Sequence, residues 1–268
     1  MISLFVTEKL RTGTAALSIG SAILMPSVSR AFLNTTVLSF LLFRASSVAM
    51  SGDLDMTNLR RQMVLKQISN RGISDPKVLH AMATVPRHLF VPFEYANDAY
   101  KDHPMPIGFG QTISQPYIVA YMAECAKVVS TDKVLDVGTG SGYAAAVLSH
   151  LTRTVHTVEV VKQLHLEAKG TLERLGYHNV VCHFGDGSQG LASEAPFDAI
   201  IVAAGAPEVP KSLVDQLRVG GRLVIPVTSG VFGEDLMRIT KMEGGEVKRE
   251  HLGAVAFVPL LGKEGWKA

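Results

Sequence analysis

Cysteine is scarce in this 268-residue chain: Cys125 and Cys182 are the only two, and they lie far apart. That excludes a disulfide framework and a CxxC metal pair, and leaves two reduced, buried thiols as the expectation. Charge of one sign is also lacking. Lys and Arg number 26 against 24 Asp and Glu, a formal net charge of +2. With no sustained basic stripe, nucleic acid is not an expected partner. The first fifty residues are almost without acids, Glu8 standing alone against Lys9, Arg11, Arg30 and Arg44. Their two apolar runs, "TAALSIGSAILM" and "VLSFLLF", fall short of the ~20 residues that span a bilayer, so no stable membrane partner is expected. Residues 1–50 read either as a signal or transit peptide, with an A-x-A-like end at Ser47–Ala49, or as a dispensable extension ahead of Met50 or Met56. In both cases they stand outside the fold.

What remains is a chain rich enough in apolar residues, 47% overall, for a sizeable core. No internal repeat is present. "SGDLD" reads as a linker, and residues 51–268 as one domain with a helical cap at about 56–100. "MTNLRRQMVLKQISNRG" has helical apolar spacing and a stop at Gly72. In "SDPKVLHAMATV", Ser74 or Asp75 can cap, Pro76 suits the first turn and Pro86 ends the run. Residues 86–116 read as loop.

From Gln115 strands and helices alternate. "KVLDVG", "TVHTVEV", "NVVCHFGDG", "FDAIIVAAG" and "RLVIPV" read as strands. "PYIVAYMAECAKVV", "SGYAAAVLSHLT", "KQLHLEAKGTLERLG" and "EVPKSLVDQLRVGG" read as helices. This order predicts a parallel, doubly wound α/β sheet. "DLMRITKM" and "VKREHLGAV", joined by "EGGE", predict an antiparallel hairpin at one edge of it.

The first strand runs into "VLDVGTGSGY", residues 134–143. Ligands of such folds bind beyond the carboxyl ends of the strands, where glycine lets the backbone come close. The third glycine arrives one residue too early for a dinucleotide fingerprint, and Asp136 would repel a phosphate. Glu159, some twenty residues on, stands where an acid grips ribose hydroxyls. Asp186, in "GDG", can accept from an adenine amine. Three acids after three successive strands describe a ligand with a ribose, a purine and a positive end. S-adenosylmethionine is such a ligand. His178, Cys182 and His183 cluster in sequence, but neighbours in a strand face opposite ways, so no metal site is expected.

The chain from about Met56 to Trp266 resembles the bacterial-type protein-L-isoaspartate O-methyltransferases. The pieces that carry the likeness are "VPRHLFVP", "MPIGFGQTISQPYIVA", "VLDVGTGSGYAAAVL", "GDGSQGL", "APFDAIIVAAGAP", "LVDQLRVGGRLVIPV" and "FVPLLGKEGW". The resemblance implies a class I, Rossmann-like S-adenosylmethionine-dependent methyltransferase fold. It implies methylation of the carboxylate of L-isoaspartyl residues in damaged proteins and peptides, which then return through a succinimide toward aspartate. It maps the essential loop serine onto Ser114, with Thr112 and Ile113 beside it at the cofactor. Gly138, Gly140, Glu159, Asp186 and Gly187 map onto cofactor positions, to which the reading above adds Asp136. Ser188 departs from the aromatic common after "GDG", and Ala203 from a larger residue in the fourth strand. The segment "FVPL", 257–260, is expected either to pack in the core or to pair by its backbone with the substrate peptide. A cytoplasmic monomer is expected.

"GFGQTISQP", 108–116, contains no ionisable group, and this chemistry requires none. The nucleophile is a carboxylate, with a pKa near ~4, ionised before it arrives. The loop has only to orient it. Two rivals stand against this reading. A small-metabolite methyltransferase has no reason to keep this loop, and a non-catalytic adaptor no reason to keep the cofactor acids.

Overall fold

The computed structural model describes residues 55–229 and 233–267. The expected leader and most of the "SGDLD" linker lie outside the described residues. The cap begins with helix α1, 55–63, which widens into a π turn at Val64–Ile68 and tightens at Ser69–Arg71 before Gly72, at φ 99°, stops it. Helix α2, Pro76–Thr84, follows; Asp75 caps it by accepting the Lys77 N–H, and Pro76 occupies its first position. The stretch expected as loop holds two 3-10 turns, Arg87–Phe90 and Phe93–Asp98, and an antiparallel hairpin, β1 (Met105–Gly108) with β2 (Gln111–Ile113). Gly108, Phe109 and Gly110 turn that hairpin with φ of 92°, 53° and 71°. Such a tip is hard to read from sequence because one of its left-handed residues is not glycine.

Helix α3 is Pro116–Ala126. Then come β3 (Lys133–Val137), α4 (Tyr143–Ser149), β4 (Thr154–Glu159), α5 (Lys162–Arg174), β5 (Val180–Phe184), β6 (Phe197–Val202), α6 (Lys211–Asp215), β7 (Leu217–Thr228), β8 (Glu234–Lys241) and β9 (Val247–Val255). The seven strands lie in the order β5-β4-β3-β6-β7-β8-β9. The first five are parallel, and β8 and β9 add antiparallel at one edge. Both the doubly wound sheet and its antiparallel edge are as the sequence predicts. The chain reverses its direction of travel across the sheet between β3 and β6, which opens a crevice at their carboxyl ends.

Along β3 and β6 side chains alternate between two cores. Val134, Ala199 and Ile201 face the cap with α3 and α4, while Leu135, Ile200 and Val202 face the other layer. The helix expected over "EVPKSLVDQLRVGG" is shorter than its apolar spacing suggests. It stops at Asp215, because Phe197 N–H takes the Gln216 carbonyl and Leu217 joins the sheet opposite Phe197. The register then jumps between Phe197 and Ala199, and Gly220 and Gly221 fall in the extra residues on β7. Pairing with β6 outweighs local helix preference here.

Candidate active site

The cleft at the crevice has four walls. The turn after β3 supplies Gly138 to Ser141, the end of β4 supplies Glu159, β2 and its following turn supply Gln111 to Ser114, and residues 258–261 close the far side. Gly138, Gly140 and Gly142 have φ of 92°, 53° and 89°, so the turn needs residues free of a Cβ penalty. A Cβ on Gly140 would come within 3.3 Å of Ile107 Cδ1. The glycine turn and the β1–β2 hairpin are thus packed face to face.

Glu159 is buried at the floor. Oε2 accepts the Gly140 N–H at 2.8 Å and Oε1 the Val161 N–H at 2.9 Å. Behind the glycine turn runs a chain of short bonds: Thr139 Oγ1 lies 2.7 Å from Thr157 Oγ1, which donates to Asp136 Oδ2 at 2.8 Å. Asp136 is wholly buried and its Oδ1 has no partner among the described residues. Burial pushes its carboxyl up to about 7; the Thr157 bond opposes that and the Glu159 charge adds to it.

The structure therefore brings Thr112, Ile113, Ser114, Gly138, Gly140, Glu159 and Gly187 to one cleft. It does not bring Asp136 or Asp186 to the cleft surface. Asp136 sits one layer behind, reaching the cleft only through Thr157 and Thr139. Asp186 turns to the chain's last segment: Oδ1 accepts from Ser188 N–H and Oγ–H, and Oδ2 accepts the Lys263 N–H at 2.7 Å. Ser188 Oγ in turn accepts the Glu264 N–H at 3.0 Å. The serine that departs from the family's usual aromatic is fully buried and forms part of a latch on residues 262–266. Ala203 lines the cleft, 3.7 Å from where a Gly138 Cβ would lie.

Residues 258–261 were the least legible wall. Gly205 N–H donates to the Val258 carbonyl and Leu260 N–H to the Gly205 carbonyl, both at 2.8 Å. Trp266 packs on the domain and donates Nε1–H to the same Gly205 oxygen. Arg87, inside "VPRHLFVP", was missed altogether. Its signal is an arginine within a largely apolar stretch, and the structure buries it completely. His183 does not join Cys182; it stacks on His156, with Nε2 3.1 Å from His156 Nδ1.

The glycine cradle and the paired acceptor oxygens of Glu159 suit a ligand that carries a diol and no phosphate at this point. The family model described as protein-L-isoaspartate(D-aspartate) O-methyltransferase matches residues 58–265. A protein-L-isoaspartate O-methyltransferase of Pelobacter propionicus is 53% identical over 207 residues, 77% of this chain and 92% of the relative. One from Geobacter metallireducens is 52% identical over 207 residues, 77% of this chain and 95% of its own. Among solved structures, a Plasmodium falciparum protein described as a protein-L-isoaspartate O-methyltransferase, in complex with S-adenosyl-L-homocysteine, superposes with a TM-score of 0.66 at 28% identity. That match covers 75% of this chain and 98% of the other.

Proposed function

This chain belongs to the protein-L-isoaspartate(D-aspartate) O-methyltransferase family, and on that premise we propose how its own residues divide the work. The enzyme transfers a methyl group from S-adenosylmethionine to the free carboxylate of L-isoaspartyl residues in damaged proteins and peptides. The cofactor supplies a methyl carbon activated by a sulfonium.

The glycine turn, Glu159 and Gly187 would hold the cofactor. Each Glu159 oxygen carries a second lone pair, and the two acceptors would take the ribose hydroxyls. Asp136 would act through Thr157 and Thr139, its bond to Thr157 fixing the glycine turn from behind. Asp186 would act by holding the 258–261 wall. Thr112 and Ile113 would pack along the cofactor beside Ser114.

Ser114 would orient the substrate carboxylate. The observation that carries this reading is that Gln111 to Ser114, a stretch with no ionisable group, faces the glycine turn across one cleft. A pre-ionised nucleophile needs alignment rather than a base, and alignment alone supplies ~7–11 kcal/mol in favourable cases. A hydroxyl aligns a carboxylate without neutralising it. The edge of residues 258–261 that carries Val258 O and Leu260 N–H is taken by Gly205. We propose that the opposite edge receives the substrate's main chain.

Cys125 and Cys182 are both free thiols, in keeping with a reducing, cytoplasmic setting. Among the described residues no helix is long and apolar enough to cross a membrane.

Transfer of labelled methyl to an isoaspartyl peptide and to its normal aspartyl twin tests the assignment. The two substrates differ by one methylene in the reach of the carboxylate, and a misplacement of ~1 Å can cost about a hundredfold. We expect strong labelling of the first and almost none of the second. Equal labelling would overturn it.

A further inference from the structure

Arg87 stands in the 3-10 turn Arg87–Phe90 that follows α2, outside the cleft lining, and is completely inaccessible to solvent. Nε donates to the Ala99 carbonyl and Nη2 to the Ser114 carbonyl, both at 2.8 Å. The guanidinium carbon lies 4.8 Å from the centroid of the Tyr143 ring. Tyr143 gives some electrostatic relief, but no acceptor of good geometry meets Nη1. Burial lowers the group to about 10, so it remains charged at neutral pH. Among the described residues no carboxylate is among the groups that act on it.

An arginine buried without a counter-ion is costly to the fold, and an apolar side chain of similar length would be cheaper. A purely structural need does not explain it. Its placement does. The two residues its guanidinium touches beside Ala99, Ser114 and Tyr143, both line the cleft. Nη2 reaches 27 residues along the chain to hold the turn between β2 and α3. The bond holds the Ser114 carbonyl against the buried guanidinium.

We propose that Arg87 is the positioning residue of the substrate-carboxylate subsite. Its planar fork pins the Ser114 main chain, and its unneutralised charge, one layer behind Ser114, attracts the substrate anion. Because the guanidinium stays behind the main chain, it draws the carboxylate in without hydrogen-bonding the attacking oxygen. This rests on the role given to Ser114 above. A lysine in its place could keep the charge but not the two fixed, divergent donors.

Two variants separate charge from fork. Arg87→Met removes both, and Arg87→Lys keeps the charge alone. Each is measured for isoaspartyl-peptide kcat and KM, for S-adenosylhomocysteine affinity by calorimetry, and for thermal unfolding. We expect Arg87→Lys to lower kcat at least about tenfold with peptide KM within about threefold of the parent. Arg87→Met should lower kcat similarly and raise peptide KM at least about tenfold. Cofactor-product affinity should stay within about twofold in both. If Arg87→Met does not fold, the kcat and KM of Arg87→Lys decide. Parental kcat in Arg87→Lys, or equal losses in peptide and cofactor affinity, would overturn the proposal. Failure of the parent enzyme to methylate the isoaspartyl peptide would instead defeat the reading on which it rests.

Discussion

Glu159 Oε2 accepts the main-chain N–H of Gly140 at 2.8 Å, so the last residue of β4 is bonded directly to the glycine turn that follows β3. The two cofactor walls are therefore set by one carboxylate, whose other oxygen holds Val161 N–H. Replacing it by glutamine leaves one acceptor and turns an amide donor against a main-chain donor. We expect Glu159→Gln to weaken S-adenosylhomocysteine binding at least about tenfold, since a lost charged hydrogen bond is worth ~1.5–3 kcal/mol. Calorimetry on the folded variant checks this. Unchanged affinity would detach Glu159 from the ribose.

Ser114→Ala should behave in the opposite way. Turnover should fall at least about fivefold, a contact worth ~1 kcal/mol or more, while cofactor affinity stays near the parent's. With cofactor saturating, the parent's single-turnover rate should be nearly flat from about pH 6 to 8, because the attacking carboxylate is ionised throughout. A steep limb in that range would reveal a base that the loop does not contain.

Asp136 predicts a pH signature in stability. Its carboxyl is raised from 3.8 to about 7 by burial, so the folded chain keeps a proton that the unfolded chain releases. The stability it lends is fully present below about pH 4, falls as pH rises, and is gone above about pH 7. The limiting slope is ~1.4 kcal/mol per pH unit. Asp136→Asn keeps an acceptor for Thr157 and has nothing to ionise. Its thermal stability relative to the parent should climb between pH 4 and pH 7 and then level off; a constant difference would mean that Asp136 is charged throughout.

Gly187 tests the packing beneath the cleft. A Cβ there would lie 2.6 Å from Val137 Cγ1, inside the buried core. The valine is held by neighbours on both sides, so the backbone has to give. Gly187→Ala should cost ~1–3 kcal/mol of stability, as overpacking does, and weaken the cofactor as well. Denaturant unfolding at neutral pH measures the first effect, and an unchanged midpoint would show that β3 and the turn after β5 yield freely.

Much of this was legible from the sequence, for identifiable reasons. β3 reads as a strand because "KVLDVG" is short, rich in valine and leucine and ends on glycine, and α2 reads as a helix because Asp75 and Pro76 mark its start. The β8–β9 hairpin shows through its "EGGE" turn, whose two glycines have φ of 75° and 87°. What stayed hidden depends on partners distant in the chain. Leu217 looks helical until Phe197 claims it for the sheet. Asp186 reads as a cofactor acid, and its further bond to Lys263 N–H, 77 residues on, shows only in the structure. Arg87 is one residue of a motif until Ala99 and Ser114 take its donors. No spacing rule carries those contacts.

The far wall of the cleft, residues 258–261, is held by Gly205 on one side and by the Asp186–Ser188 latch just beyond it. In order of synthesis this segment follows every strand of the sheet. A chain cut after Val255 would keep all seven strands and the glycine turn, but its cleft would have an open side. The fold and the cleft are thus separable along the chain: the sheet is complete by Val255, and the cleft is complete only with the segment that follows it.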